Sequence, residues 1–133
     1  MTTITYSTTN IVSAEQLSLL FEHAGMKRPI HDLPRLQKML DNADITVSAW
    51  DGDRLVGIAR AITDYAYCCY LSDLAVDDDY QKNGIGSKLV DEVRQVIGEQ
   101  CSLILISAPG AMDYYPKIGF TLSDKAYVIP RVK

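Results

Sequence analysis

One stretch constrains this chain more than any other: residues 72–89, S-D-L-A-V-D-D-D-Y-Q-K-N-G-I-G-S-K-L. It opens as a strand and turns at its glycines. It then continues as a helix whose apolar face is Ile85, Leu89, Val93, Val96 and Ile97. A strand that feeds a helix through Gly-x-Gly is a physical device for holding phosphate. Glycine lets the backbone come close, the first-turn N–H groups have no acceptor within the helix, and that end of the helix is positive. The spacing here is Gln81-x-x-Gly84-x-Gly86. A dinucleotide fingerprint would need glycine where Leu89 stands, and a Walker A loop would need Gly-Lys-Ser/Thr after a longer gap, so neither is present. The plainer alternative is a glycine turn ahead of a core helix.

The remaining elements follow from local chemistry. Residues 2–7 are β-branched and aromatic and predict a first strand near an edge. Ser13 with Gln16 makes a capping box ahead of Leu17, Leu20, Phe21 and Ala24, and Gly25 stops that helix. Asp32 caps a second helix with Pro34 in its first turn and Leu33, Leu36, Met39 and Leu40 on one face. Asp51-Gly52 joins two strands, residues 45–50 and 55–62, and residues 66–76 form the strand leading into the central motif. Residues 103–106 are continuously apolar and predict a strand buried on both faces. A short helical segment at residues 112–118 and two closing strands, residues 120–122 and 126–129, complete the order β-α-α-β-β-β-α-β-α-β-β. The class is α/β with a mixed, mostly antiparallel sheet flanked by helices, which excludes a doubly wound Rossmann sheet. No repeat or linker divides residues 1–133, so one domain is expected.

Charge and cysteine usage narrow the partners. The formal net charge is −4, and no basic patch with interleaved aromatics occurs, which argues against nucleic acid. No apolar run reaches membrane-spanning length, and the opening Met-Thr-Thr-Ile-Thr-Tyr lacks a basic n-region and an apolar h-region. The expectation is a cytoplasmic protein with no membrane partner. Cys68, Cys69 and Cys101 form no CxxC pair, so neither a metal site nor a disulfide framework is indicated; they read as small buried strand residues. Asp77, Asp78 and Asp79 read as a solvated turn, and His23 and His31 as surface residues.

The motif Q-x-x-G-x-G behind Leu74-Ala75-Val76 resembles the acyl-CoA-binding signature of the GNAT (Gcn5-related) N-acetyltransferases. Tyr115-Pro-Lys-Ile-Gly-Phe120 resembles the same family's Tyr-x-Lys-x-Gly-Phe element, and Asp51-Gly-Asp-Arg-Leu-Val-Gly57 its hairpin before the central strand. The resemblance covers about the last two thirds of the chain. It implies acetyl-CoA as acyl donor, no metal, an amine acceptor, and a homodimer as an assembly the family allows. Carried over residue by residue, it implies that Leu74, Ala75 and Val76 bind the pantetheine arm, with the Leu74 N–H polarising the acyl carbonyl. Gln81, Lys82, Asn83, Gly84, Ile85, Gly86 and Ser87 would cradle the pyrophosphate. Gln81 departs from the commoner arginine, leaving Lys82 or Lys88 to supply charge.

Tyr115 stands where the family's general acid stands, with packing as the alternative. Tyr114 adjoins it about 100° around a helix and is expected to point elsewhere. Where some members carry a strand glutamate this chain has Tyr70, so Asp73 is the candidate base or ammonium attractor. Asp64 and Asp73, with the negative net charge, suggest a small cationic amine. The alternatives are a protein N-terminus or lysine, or a CoA-binding module without turnover.

Overall fold

The computed structural model describes residues 3–133. Five strands form one sheet in chain order: β1 (Thr5–Ser7), β2 (Ile45–Asp51), β3 (Arg54–Thr63), β4 (Cys68–Val76) and β5 (Ser102–Ile104). The first four are antiparallel, and β5 runs parallel to β4. Thr2, included in the predicted first strand, lies outside the described residues.

Two helices cover one face. α1 (Ala14–His23) begins with the expected reciprocal Ser13–Gln16 box. α2 (Leu33–Asp41) begins where Asp32 accepts the Arg35 N–H. Leu17, Leu20, Phe21 and Leu36 are buried there against Trp50, Leu55, Ile58 and Ala75. α3 (Ile85–Ile97) covers the other face, setting Ile85, Leu89, Val90 and Val93 against Val47, Ala49, Val56, Ala59 and Leu71. Gly57 permits this packing, because a Cβ there would stand 3.1 Å from both Ile85 and Leu89.

A β-bulge in β4 decides which residues reach which layer. Leu71 pairs with Ala61 and Asp73 with Arg60, so Ser72 has no opposite number on β3. Because strand side chains alternate, the extra residue reverses the phase. Cys69 and Leu71 belong to the α3 layer, and beyond the bulge so do Leu74 and Val76. Asp73 and Ala75 are thereby turned toward α1 and α2.

The carboxyl-terminal third departs from the expected order. Helical character after β5 is confined to two 3₁₀ turns, Pro109–Ala111 and Tyr115–Ile118, the second carrying Pro116 near its start and ending at Gly119 with φ 104°. The predicted closing strands do not form: residues 120–133 carry no strand, and Tyr127, Ile129 and Val132 are almost fully exposed. Residues 103–106 are not buried on both faces. Without a neighbour beyond β5 they alternate, Leu103 and Leu105 half-buried, Ile104 and Ile106 about half exposed. Cys69 is buried as expected, but Cys68 is exposed and Cys101 lies between.

Candidate active site

β4 and β5 pair only over Cys68–Tyr70 and Ser102–Ile104. Past that point β4 continues to Val76 with β3 on one side and no strand on the other. The edge groups of this free half, around Leu74, Ala75 and Val76, therefore face a gap in the sheet. Leu74 and Val76 are half-buried and Ala75 is buried. An extended ligand with alternating amide donors and acceptors can fill such a gap by adding a strand.

The start of α3 lies at the end of this edge. Gly84 is its N-cap, in the left-handed region at φ 77°, and offers no side-chain hydrogen bond to the first turn. The N–H groups of Ile85, Gly86 and Ser87 are left for an outside acceptor. Lys82 also has positive φ, 68°, uncommon for a residue with a side chain and a mark of a backbone held for a purpose. Its side chain has no ion-pair partner among the described residues. Lys88 is instead engaged with Glu92 at 3.1 Å and lies over the Tyr6 ring, so Lys82 is the cation left for a phosphate.

Gln81 does not present its amide to the loop. Its Nε2 donates to the Val76 carbonyl at 3.0 Å and to Asp78 at 3.2 Å, tying the turn to the end of β4. Asn83 donates to the Tyr80 carbonyl. The three aspartates ahead of the helix are not uniformly solvated. Asp77 is buried and accepts from the Asp79 N–H, Arg54 and His23. Burial pushes its carboxyl up, but these three donors more than compensate and hold it below the usual range. A cleft of about 630 Å³ lies beside this turn, lined by Ile4, Arg54, Asp79, Tyr80, Asn83 and Ile85, none of them on the free half of β4.

The two tyrosines diverge, but not as the sequence suggested. Tyr114 reaches α3: a Cβ added to Gly86 would collide with the Tyr114 hydroxyl, so that phenol roofs the first turn. Tyr115 packs edge-on between Tyr114 and Phe120 and is half-buried. Burial pushes its phenol up, Tyr114 adds to this, and the nearby Arg28 charge pulls it partly back. Both phenols are raised and stay protonated at neutral pH.

Asp73 does not stand open to a ligand. Its side chain is fully enclosed, with Arg28 Nε on Oδ1 at 2.7 Å and Arg60 Nε on Oδ2. A carboxylate committed to two guanidinium groups is neither an open attractor for ammonium nor a free proton acceptor. Arg60 is itself buried and also donates to Ser72 Oγ, and Arg28 Nη2 donates to the carbonyl of bulged Ser72. Neither Arg28 nor Arg60 was singled out from the sequence as a partner of Asp73. A lone arginine inside the apolar run of β3, facing a lone aspartate on the next strand, was the available signal. Asp64 lies in the turn between β3 and β4, at the other end of β4 from Leu74–Val76: its Oδ1 accepts from Ala66, Tyr67 and Cys68, and these N–H groups lower its pKa to about 2.

A family model described as an acetyltransferase (GNAT) domain matches residues 10–128. The chain belongs to the GNAT acetyltransferases. Among curated GNAT relatives, an N-acetyltransferase ycf52-like protein of Prochlorococcus marinus is 29% identical over 130 residues, covering 92% of this chain and 71% of that protein. GCN5-related N-acetyltransferase 2 of Arabidopsis thaliana is 27% identical over 112 residues, and the match spans 79% of this chain but only 42% of that protein. Among solved structures, protein SA2161 of meticillin-resistant Staphylococcus aureus superposes with a TM-score of 0.84 at 27% identity, covering 98% of this chain and 99% of that one. The aminoglycoside N-acetyltransferase AAC(6')-Iy, solved with CoA, shares the fold at 15% identity and a TM-score of 0.74, over 100% of this chain and 97% of its own. Among the described residues no group of three metal-ligating side chains occurs, and no helix is long and apolar enough to cross a membrane.

Proposed function

We propose that this GNAT chain transfers an acetyl group from acetyl-CoA to a primary amine by direct attack within a ternary complex. The observation that carries this reading is the free half of β4 meeting the uncapped, glycine-bearing start of α3. The pantetheine arm has the amide spacing to pair with the edge at Leu74–Val76, and the pyrophosphate matches the N–H groups of Ile85, Gly86 and Ser87, with Lys82 adding charge. The Tyr114 hydroxyl, lying over Gly86, is a further donor at that end of the groove.

The chemistry asks two things of the chain beyond holding the donor. The Leu74 N–H polarises the thioester carbonyl where negative charge develops. The amine nitrogen adds to the carbonyl carbon, the carbon–sulfur bond breaks, and the sulfur departs with the electron pair. Tyr115 supplies the proton that neutralises this thiolate and is restored from water. The excess proton on nitrogen goes to water, since Asp73 is held between two arginines.

A small cationic acceptor draws support only from the net charge, because Asp73 is held by two arginines and Asp64 lies in the β3–β4 turn, at the other end of β4 from Leu74–Val76. A CoA-release assay with acetyl-CoA and a panel of amines tests the core reading. The rival is a CoA-binding module without turnover, favoured by Tyr70 standing where some GNAT members carry glutamate. Tight acetyl-CoA binding with no CoA release on any amine would replace the enzyme by the module.

A further inference from the structure

The loop between α1 and α2 places a cation beside the site where an acceptor would lie. Arg28 is anchored there by three bonds: Nε to Asp73, Nη2 to the Ser72 carbonyl at 3.0 Å and Nη1 to the Lys27 carbonyl at 2.8 Å. Its guanidinium also stacks over Phe21, 5.8 Å from the ring centroid. A guanidinium has five N–H donors, so two have no partner among the described residues. The side chain is 29% exposed, so its anchored head still meets solvent.

The charge balance makes this position positive. One buried carboxylate, Asp73, is shared by two arginines, so the cluster carries a net charge of about +1. Lys27 is adjacent in the chain. An unneutralised, pre-positioned guanidinium is a fork for an oxyanion, and its rotamer has already been fixed by protein contacts. An ammonium group brought to the same place would be repelled.

Distance along β4 then limits the ligand. Arg28 is bonded at Ser72 and Asp73, two and one residues before Leu74. At about 3.3 Å per residue, the guanidinium's anchor points lie roughly 3–7 Å along the strand from the N–H assigned to the acyl carbonyl.

Resting on the acetyl-transfer reading above, we infer that the acceptor is a primary amine that also carries an oxyanion, a carboxylate or a phosphate, within a few bonds of its nitrogen, and that Arg28 binds this group. The acceptor is therefore amino-acid-like or phosphoamine-like, not a polyamine. Arg28 selects it by charge and by its two free donors, and Asp73 serves to hold Arg28 in place.

The test compares matched pairs on the intact protein with saturating acetyl-CoA: phenylalanine with phenethylamine, lysine with cadaverine, and phosphoethanolamine with ethanolamine. The oxyanion-bearing member should win by about tenfold or more in kcat/KM, mostly through KM, in at least one pair. Which pair wins separates carboxylate from phosphate. Arg28→Met should erase that preference and Arg28→Lys should restore part of it. Equal or reversed preference in every pair overturns the inference while leaving acetyl transfer intact. Where no amine is turned over, the acetyl-transfer reading falls. Calorimetry in the presence of CoA then decides the inference alone: N-acetylphenylalanine or N-acetylphosphoethanolamine must bind about tenfold tighter than its uncharged counterpart, and equal binding by both overturns it.

Discussion

Replacing Asp73 with asparagine separates a structural carboxylate from a catalytic one. Arg60 is 6% exposed, and Asp73 is its only carboxylate partner among the described residues. Removing one member of a buried ion pair costs about 3–5 kcal/mol, because the other charge stays buried and uncompensated. Asparagine retains one acceptor oxygen, which places the loss near the lower end, about 3 kcal/mol. With 133 residues and about 2.1 cal/mol/K of unfolding entropy per residue, ΔS is about 0.28 kcal/mol/K, so Tm should fall by about 10 °C. Circular dichroism melts measure this, and CoA release is then assayed at a temperature where the variant is folded. Adding Arg60→Met removes the orphaned charge and should recover part of the loss. An Asn variant that melts within about 2 °C of the parent but has lost turnover would refute the reasoning and return Asp73 to the role of base.

Gly86→Val drives a side chain into the Tyr114 hydroxyl and into the groove over α3. Acetyl-CoA affinity should fall at least tenfold, about 1.4 kcal/mol, with an unchanged circular dichroism spectrum; unaltered calorimetric affinity rejects the cradle. Tyr115→Phe should lower kcat by about 10²-fold with little change in acetyl-CoA binding. Tyr114→Phe should instead weaken acetyl-CoA binding, and an exchange of these two phenotypes reverses the assignment. Asp64→Ala should lower Tm at neutral pH by releasing the N–H groups of Ala66, Tyr67 and Cys68. Because the folded pKa of Asp64 is depressed to about 2, its stabilisation is present above the unfolded value near 4 and fades as pH falls toward 2. The melting difference from the parent should shrink over that window, and a constant difference would contradict the turn assignment.

Where the sequence was legible, the information was local. Ser13 with Gln16, Asp32 with Pro34, and the glycines at positions 25 and 84 each mark a helix end through a bond or a dihedral that they make themselves. The glycine loop and its helix could be read for the same reason. The enclosure of Asp73 was not legible because it depends on partners 13 and 45 residues away in the chain. The alternation of β4 also hides the bulge, since Leu71, Asp73 and Ala75 look like one face until Ser72 is found unpaired. Tyr114 and Tyr115 were assigned by rotation about an α-helix, whereas the chain there is a 3₁₀ turn around Pro116, which alters their relative directions. Closing strands were expected at residues 120–122 and 126–129, but a local pattern supplies no pairing partner.

The unpaired Ser72 makes β4 a strand with a phase slip, and this limits how its length can change. A surface loop can gain or lose a residue and leave its neighbours where they were. Losing Ser72 restores plain alternation with both faces intact, but keeping Ser72 in register without the slip is a half-period error that no adjustment within the strand absorbs. Either Leu71 and Cys69 leave the α3 layer, or Asp73 enters it and abandons both arginines. A chimera that grafts this strand must therefore carry the slip together with Arg28 and Arg60. A relative aligned without a gap through this strand, but lacking the slip, would have its residues assigned to the wrong side of the sheet on one flank of position 72.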